Sequence, residues 1–196
     1  MKLFMKKVII ICIVFAVPIG LFLLGVFDDT STINIDKGSK IYFTDVLPDK
    51  ANPKIVVCIP AAFSGEDGRI IGHYSIGKGR KGKTGKDYTT IHLDNNTYFQ
   101  QASLVKNHKP KTFKDSRLRF RRALCKKNEE FSIVHSTIPV TLSQFGNQLI
   151  EYDHAWNLDM GTYSYGWYKD EKGLHHLGLS SIFNRNKQTN WIIVKK

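Results

Sequence analysis

The sequence predicts an α+β domain, a mixed or antiparallel sheet with few helices, set behind one N-terminal transmembrane or signal-anchor helix. Three observations predict it. Short strand-like runs bounded by turn residues recur from Lys40 to the C-terminal end. A helix start signal followed by a 3.6-residue apolar period occurs at Thr141. The run from Val8 to Phe27 contains no charged residue and is about long enough to cross a bilayer as a helix.

At 196 residues the chain is expected to be one domain with an N-terminal appendage. The expected divisions are residues 1–28 as membrane anchor or signal segment, 29–53 as stalk and first strand, and 54–196 as the folded domain. Lys2, Lys6 and Lys7 precede the apolar run and Asp28-Asp29 follow it. That asymmetry places the N-terminus in the cytoplasm and the domain outside it, in the periplasm or at the cell surface. The formal charge of +12 invites a nucleic-acid reading. No helix-turn-helix or zinc-finger pattern accompanies it, so it is read as a solvated basic surface, with no nucleic-acid partner expected. Cys12 falls in the apolar run. Cys58 and Cys125 each fall in a predicted strand, either as a pair formed in an oxidising compartment or as two buried thiols. No Cys/His spacing reads as a metal site.

Along the domain, Lys40 to Asp45 (KIYFTD) predicts a short strand and Lys54 to Ile59 (KIVVCI) a buried one. Ser64 to Gly68 is a turn, Arg69 to Ile76 its returning strand, and Tyr88 to Leu93 another strand. Gly77 to Thr84 (GKGRKGKT) fits the letters of a phosphate-binding loop, but a strand-like YTTIHL follows where a helix is required. A basic hairpin loop is the better reading. Thr97 to Val105 predicts a strand or a helix. Ser116 to Lys126 (SRLRFRRALCK) alternates, with Arg117, Arg119 and Arg121 on one face and Leu118, Phe120, Arg122 and Leu124 on the other. Arg122 is the odd residue on an apolar face, and it requires a carboxylate, a set of carbonyls or an anionic ligand. Glu130 to Ser136 is the hairpin partner. Thr141-Leu142-Ser143-Gln144 is a capping box, with Leu142, Phe145, Leu149 and Ile150 on one helical face. Asn190 to Val194 reads as a central strand.

The stretch from His154 to Trp167 (HAWNLDMGTYSYGW) concentrates the candidate chemistry. In an extended chain Ala155, Asn157 and Asp159 share one face. A carboxylate two residues from a carboxamide, at the end of an apolar strand, is costly to bury without partners. The hydroxyl and aromatic residues that follow, among them Tyr163, Tyr165 and Trp167, suit a sugar or another polyol. The competing reading makes Asp159 a turn cap and the aromatics core residues. His135 and His154 are read as lying in or beside the core.

The succession RRALCKKNEEFSIVHS, TLSQFGNQLIE, HAWNLDMG and NRNKQTNWIIV resembles the phosphodiester glycosidase family, over roughly residues 54–196. The upstream AAFSGEDGRIIGHYSIG is similar to the family's first motif. By position the resemblance assigns Arg122 to the family's Arg, Asn157 and Asp159 to its N-L-D, Gly161 to a glycine of the following triple, and Asn190 to its terminal Asn. This chain departs in having Met160 where the family has Gly, and Ala61-Ala62 where it has Asn-Gly.

The resemblance implies an exported hydrolase acting on a sugar-1-phosphodiester, of the N-acetylglucosamine-1-phosphodiester kind, in glycan or envelope polysaccharide metabolism, with no cofactor. Such a leaving group is already a stable anion, so the chemistry needs a carboxylate near the anomeric carbon and a cation for the phosphate. Asp159 and Arg122 are the implied catalytic pair. Asn157, Gly161, Tyr163, Tyr165, Trp167 and Asn190 are the implied substrate-binding residues. Glu66 and Asp67, in a turn, are the remaining carboxylates such chemistry would draw on. The alternative is a non-catalytic domain that binds a glycan or anionic polymer at the cell envelope.

Overall fold

The computed structural model describes residues 29–77, 88–160, 165–177 and 189–196. Two antiparallel sheets face each other, and the one helix among the described residues covers the outside of the larger sheet. The larger sheet is built from β1 (Thr30–Asn34), β4 (Tyr74–Ile76), β5 (Tyr88–His92), β6 (Thr97–Lys106), β7 (Lys109–Pro110), β8 (Arg122–Lys127), β9 (Glu130–Ser136) and β10 (His154–Asn157). Its main path runs β1-β9-β8-β10-β6-β4, with β5 and β7 also on β6. The smaller sheet contains β2 (Lys40–Thr44), β3 (Ile55–Pro60), β11 (Gly166–Asp170), β12 (Gly173–Leu177) and β13 (Trp191–Lys195), in the order β12-β11-β3-β13-β2.

Alternation along the strands sorts the apolar residues into three layers. Between the sheets lie Phe43, Val57, Ile59, Ile91, Phe99, Leu124, Ile133, Leu158 and Ile192, with Phe43 and Phe99 stacked at 5.1 Å across the gap. On the outer face of the larger sheet, Ala123, Cys125, Val134 and Ala155 pack with Phe145 and Leu149. On the outer face of the smaller sheet lie Cys58, Tyr165, Trp167, Trp191 and Ile193. The helix α1 (Leu142–Gln148) starts on the predicted capping box. The Thr141 hydroxyl accepts from the Gln144 amide at 3.1 Å, and the Gln144 carboxamide oxygen accepts from the Thr141 amide at 2.9 Å. A seven-residue helix is too short to stand alone; the caps and the burial of Phe145 hold it.

Several expectations change. The residues of 97–105 form a strand, not a helix, because β10, β4, β5 and β7 all pair with β6. Thr30–Asn34, inside the stretch expected as stalk, is a strand paired to β9. Of 69–76 only the last three residues are a strand, and Ile70 makes a single bridge to Ser64. The alternation of 116–126 is real, but β8 begins at Arg122, so Leu118 and Phe120 are exposed. Ile150 is half exposed instead of sharing the helix's apolar face. Cys58 and Cys125 are separate buried thiols, one on each outer face. Burial pushes the Cys58 thiol up to about 12 and raises Cys125 as well. Among the described residues no helix is long and apolar enough to cross a membrane; the expected anchor, residues 8–27, lies outside them.

At Gly166 the backbone of β11 lies close against β3. A Cβ there would meet the Cys58 carbonyl oxygen and Ile59 Cγ2, both at 3.0 Å. Since β3 is pinned on its other edge by β13, it has little room to move. Gly166→Ala is expected to destabilise the fold by about 1–3 kcal/mol through overpacking, measured as a lower urea midpoint with an unchanged slope.

Candidate functional site

The inner face of the larger sheet changes character within one step along its strands. One row across the sheet, given by the pairing register, is Ile33, Ile133, Leu124, Trp156 and Ser103. Two residues further along each strand, in the same direction, the row reads Ser31, His135, Arg122, Leu158, Gln101 and Thr89. Ser31 pairs with His135, His135 with Arg122, and Gln101 with Thr89, while the Leu158 amide donates to the Arg122 carbonyl at 2.8 Å. A row apolar but for Ser103 is thus followed, on the same face, by one polar but for Leu158. Arg122 is 1% exposed and Gln101 fully buried. Arg122 Nε and Nη1, Gln101 Nε2 and His135 Nδ1 are buried polar atoms that make no hydrogen bond.

At this end the two sheets are tied together. The Asp159 amide donates to the Ala61 carbonyl at 2.9 Å, joining the residue after Leu158 to the residue after β3. Asn190, immediately before β13, clamps the next residue. Its Oδ1 accepts from the Ala62 amide at 2.7 Å, and its Nδ2 donates to the Ala62 carbonyl at 3.0 Å. Ser64 Oγ lies 3.3 Å from the same Nδ2 and 2.7 Å from Thr189 Oγ1. Gly72 (φ 97°) lets the chain turn against β6, where a Cβ would meet Gln100 Cβ at 3.0 Å and the Tyr88 ring at 3.3 Å. Tyr88 packs edge-on to Phe63 at 6.4 Å.

The charges at this end feel one another. Burial draws the Arg122 guanidinium down to about 10, while the Asp159 carboxylate pulls the other way. Arg122 is therefore still a cation at neutral pH. Burial and, second, the negative charge of Asp159 raise the Tyr88 phenol. Burial and, second, the positive charge of Arg122 lower His135. A cation without water around it and with two nitrogens unpaired is costly. An oxyanion is the ligand that would offset that cost most directly.

The sequence-predicted residues do not all gather here. Arg122 and Asp159 are within each other's field at the end of the sheet. Asn157 stands opposite Ala123 in the ladder, so it shares the helix-side face with Ala123, across the sheet from Arg122. Its buried Oδ1 has no hydrogen-bond partner. Asn190 is at the site, but its carboxamide is fully buried and spent on the 61–62 turn. Tyr165 and Trp167, expected beside a sugar, belong instead to the outer layer of the smaller sheet. The alternation of β11 directs Trp167 outward with Cys58, its ladder partner, and the Tyr165 hydroxyl is 2.9 Å from His176 Nδ1 and bonded to Lys50. Gly161 and Tyr163 lie outside the described residues, as do residues 78–84 of the basic loop. Asp67 is paired with Arg69 at 3.0 Å in an exposed turn. Tyr88 and Gln101 are the site residues that sequence reasoning missed. Gln101 had a signal: it shares a strand face with Phe99, as Arg122 does with Leu124.

A second cleft, of about 700 Å³, reaches Ser31 at the edge of this row and is lined by Ile33, Val57, Val194, Lys169 and Lys196 among others. Two of its carboxylates are already paired, Asp36 with Lys196 at 2.7 Å and Asp170 with His175 at 2.8 Å, and none of its lining side chains is a buried polar group without a partner. It therefore makes a weaker candidate than the polar row. Among the described residues no group of three or more His, Cys, Asp or Glu is placed to hold a metal ion.

Two predictions follow from this geometry. Asn190→Ala leaves the buried Ala62 amide and carbonyl unpaired, and is expected to lower stability by about 2–4 kcal/mol in denaturant titration. For His135, the folded-state pKa lies below the unfolded value, so below about 6.5 the unfolded chain binds more protons and stability falls with pH. His135→Gln is expected to lose less melting temperature than the parent between pH 7 and pH 5. An equal loss in both would show that His135 carries none of the acid sensitivity.

No family model and no curated protein matches this chain. Among solved structures, the catalytic domain of zebrafish N-acetylglucosamine-1-phosphodiester alpha-N-acetylglucosaminidase, auto-inhibited by its pro-peptide, superposes with a TM-score of 0.52. The match has 11% sequence identity and covers 86% of this chain and 88% of that one. The two-sheet architecture described here is therefore shared with that catalytic domain.

Proposed function

We propose that this chain is an exported glycosidase that hydrolyses a sugar-1-phosphodiester bond, of the N-acetylglucosamine-1-phosphodiester kind, in glycan or envelope polysaccharide metabolism. It works outside the cytoplasm and is held at the membrane through residues 8–27. The observation that carries the reading is the placing of a buried, under-bonded Arg122 within the field of Asp159 at the end of the central strands, on a fold shared with an enzyme of that name.

Arg122 binds the phosphate. Its planar fork offers two nitrogens that the fold leaves unpaired, and a charge-assisted pair made away from water is strong. Binding the diester there orients the leaving group, which departs as a phosphate monoester and needs little protonation. Asp159 then stabilises the oxocarbenium-like centre or takes the proton of the attacking water. The Asp159 amide bond to Ala61 fixes the backbone from which the carboxylate projects. Tyr88, kept as a neutral phenol by burial and by Asp159, remains a hydrogen-bond donor through the physiological range.

The test is sugar release by the purified full chain in detergent from a panel of N-acetylglucosamine-1-phosphodiesters. Asp159→Asn is expected to cut kcat by about 100-fold or more. Arg122→Lys keeps the charge but loses the fork, and is expected to raise KM for the diester by roughly tenfold or more. A folded parent no more active than Asp159→Asn across the panel would move the assignment to a non-catalytic glycan-binding domain.

A further inference from the structure

We propose that Gln101 is a second ligand-binding residue of this site, acting with Arg122 as the opposite jaw of an oxyanion clamp. The inference rests on the phosphodiester reading above and extends it to a residue outside the Arg122–Asp159 pair.

The geometry comes from the polar row. Arg122 and Gln101 share the inner face, as Leu124 and Phe99 do two residues away on their strands. Leu158 sits between them, its amide on the Arg122 carbonyl. Two strand spacings separate the two backbones, about 9–10 Å, and the two side chains rise from the same face on either side of Leu158. Leu158 is fully buried and apolar, so it neither competes for the donors nor fills their hydrogen bonds. The result is two donors with an apolar floor between them.

The hydrogen-bond inventory points the same way. Gln101 Oε1 is occupied by the Ala102 amide at 2.8 Å, which fixes the carboxamide and leaves Nε2 as the group facing outward from that bond. Nε2 is buried and unpaired, as are Nε and Nη1 of Arg122. A carboxamide held through its oxygen and open at its nitrogen is a donor by construction. Buried donors of this kind cost stability unless a ligand completes them. The group that accepts from both jaws at once is a tetrahedral oxyanion, with one oxygen on the guanidinium and another on the carboxamide. Asp159 follows Leu158 in the chain, and its charge reaches Arg122. His135 flanks Arg122 on the far side and adds no acceptor between the jaws.

The experiment uses the full chain in detergent, with N-acetylglucosamine 1-phosphate as the probe in calorimetric titration. Two variants, Gln101→Met and Gln101→Glu, are compared with the parent and with Arg122→Lys. Gln101→Met removes the donor while keeping the shape. Gln101→Glu keeps the oxygen that meets the Ala102 amide and replaces the donor with an acceptor. The clamp predicts roughly tenfold weaker binding for Gln101→Met and a larger loss for Gln101→Glu, with melting temperatures no lower than the parent's for at least one of them. Parent-like affinity in both Gln101 variants, with binding lost in Arg122→Lys, would overturn the clamp and leave the phosphate role of Arg122 standing. Lower melting temperatures in both variants with affinity unchanged in the folded protein would make Gln101 purely structural and also overturn it. Absence of probe binding by the folded parent would remove the phosphodiester reading and the clamp together.

Discussion

The bond from the Asp159 amide to the Ala61 carbonyl, 2.9 Å long, is the constraint on which this end of the molecule depends. Two facing sheets are held along their middles by apolar contact, which is strong but has no preferred direction. At their ends the strands stop and the sheets would splay. The Asp159 bond crosses that gap from the larger sheet to the smaller. The Asn190 carboxamide takes up the next residue, Ala62, on both its amide and its carbonyl. Ala61 and Ala62 are fully buried, so side chains of any size would push these partners apart. The small residues here serve the approach of one backbone to another.

That tie allows the inner face to turn polar without the core coming apart. Leu124, Ile133 and Trp156 supply the apolar contact in one row, and His135, Arg122 and Gln101 replace them in the next. Burying Arg122 and Gln101 with open donors spends stability that an aliphatic row would have kept. Such a cost is the pattern expected where a fold prepares for a ligand. The same burial lowers Arg122 to about 10 and holds His135 below its usual value, which leaves a cation and a neutral imidazole side by side at neutral pH. The row therefore presents one positive charge, adjacent to the single negative charge of Asp159.

Much of this was legible in the sequence, and the limits have physical causes. Strand identity was readable at 55–60 and 191–195 because a strand buried on both faces reads as a continuous apolar run, and at 130–136 as the partner of a hairpin. Arg122 stood out as a cation in an otherwise apolar alternation. The capping box at Thr141 was legible because it is a local hydrogen-bond pattern. What failed was long-range. Nothing local distinguishes a half-polar run such as 97–105 from a helix until its ladder partners are known. The sequence did not show on which side of the smaller sheet Tyr165 and Trp167 lie, because both faces of that sheet are apolar. Alternation gives the spacing of Trp167 from Tyr165, but the side on which they fall is decided by the pairing of Trp167 with Cys58. Asn157 and Arg122 were likewise each correctly placed on a strand, and only the register shows them on opposite faces.

The reassignment of Tyr165 and Trp167 alters what kind of recognition this end of the molecule is built for. With those rings in the outer layer, the described part of the site consists mainly of charge and hydrogen-bond donors around an apolar residue. Stacking rings read the faces of a sugar. Donors read oxygens, and a buried guanidinium reads the oxygens of an anion above all. The described residues are thus better suited to hold the phosphate of a phosphodiester than to discriminate between sugars. The same distinction bears on the 11% identity with a protein of the same fold. Fold at that distance is kept by the apolar layers and the ties between sheets, whereas a polar row on an inner face contributes little to holding the sheets together. Arg122 and Gln101 are buried polar side chains of that row, and Asp159 is the carboxylate whose field reaches Arg122.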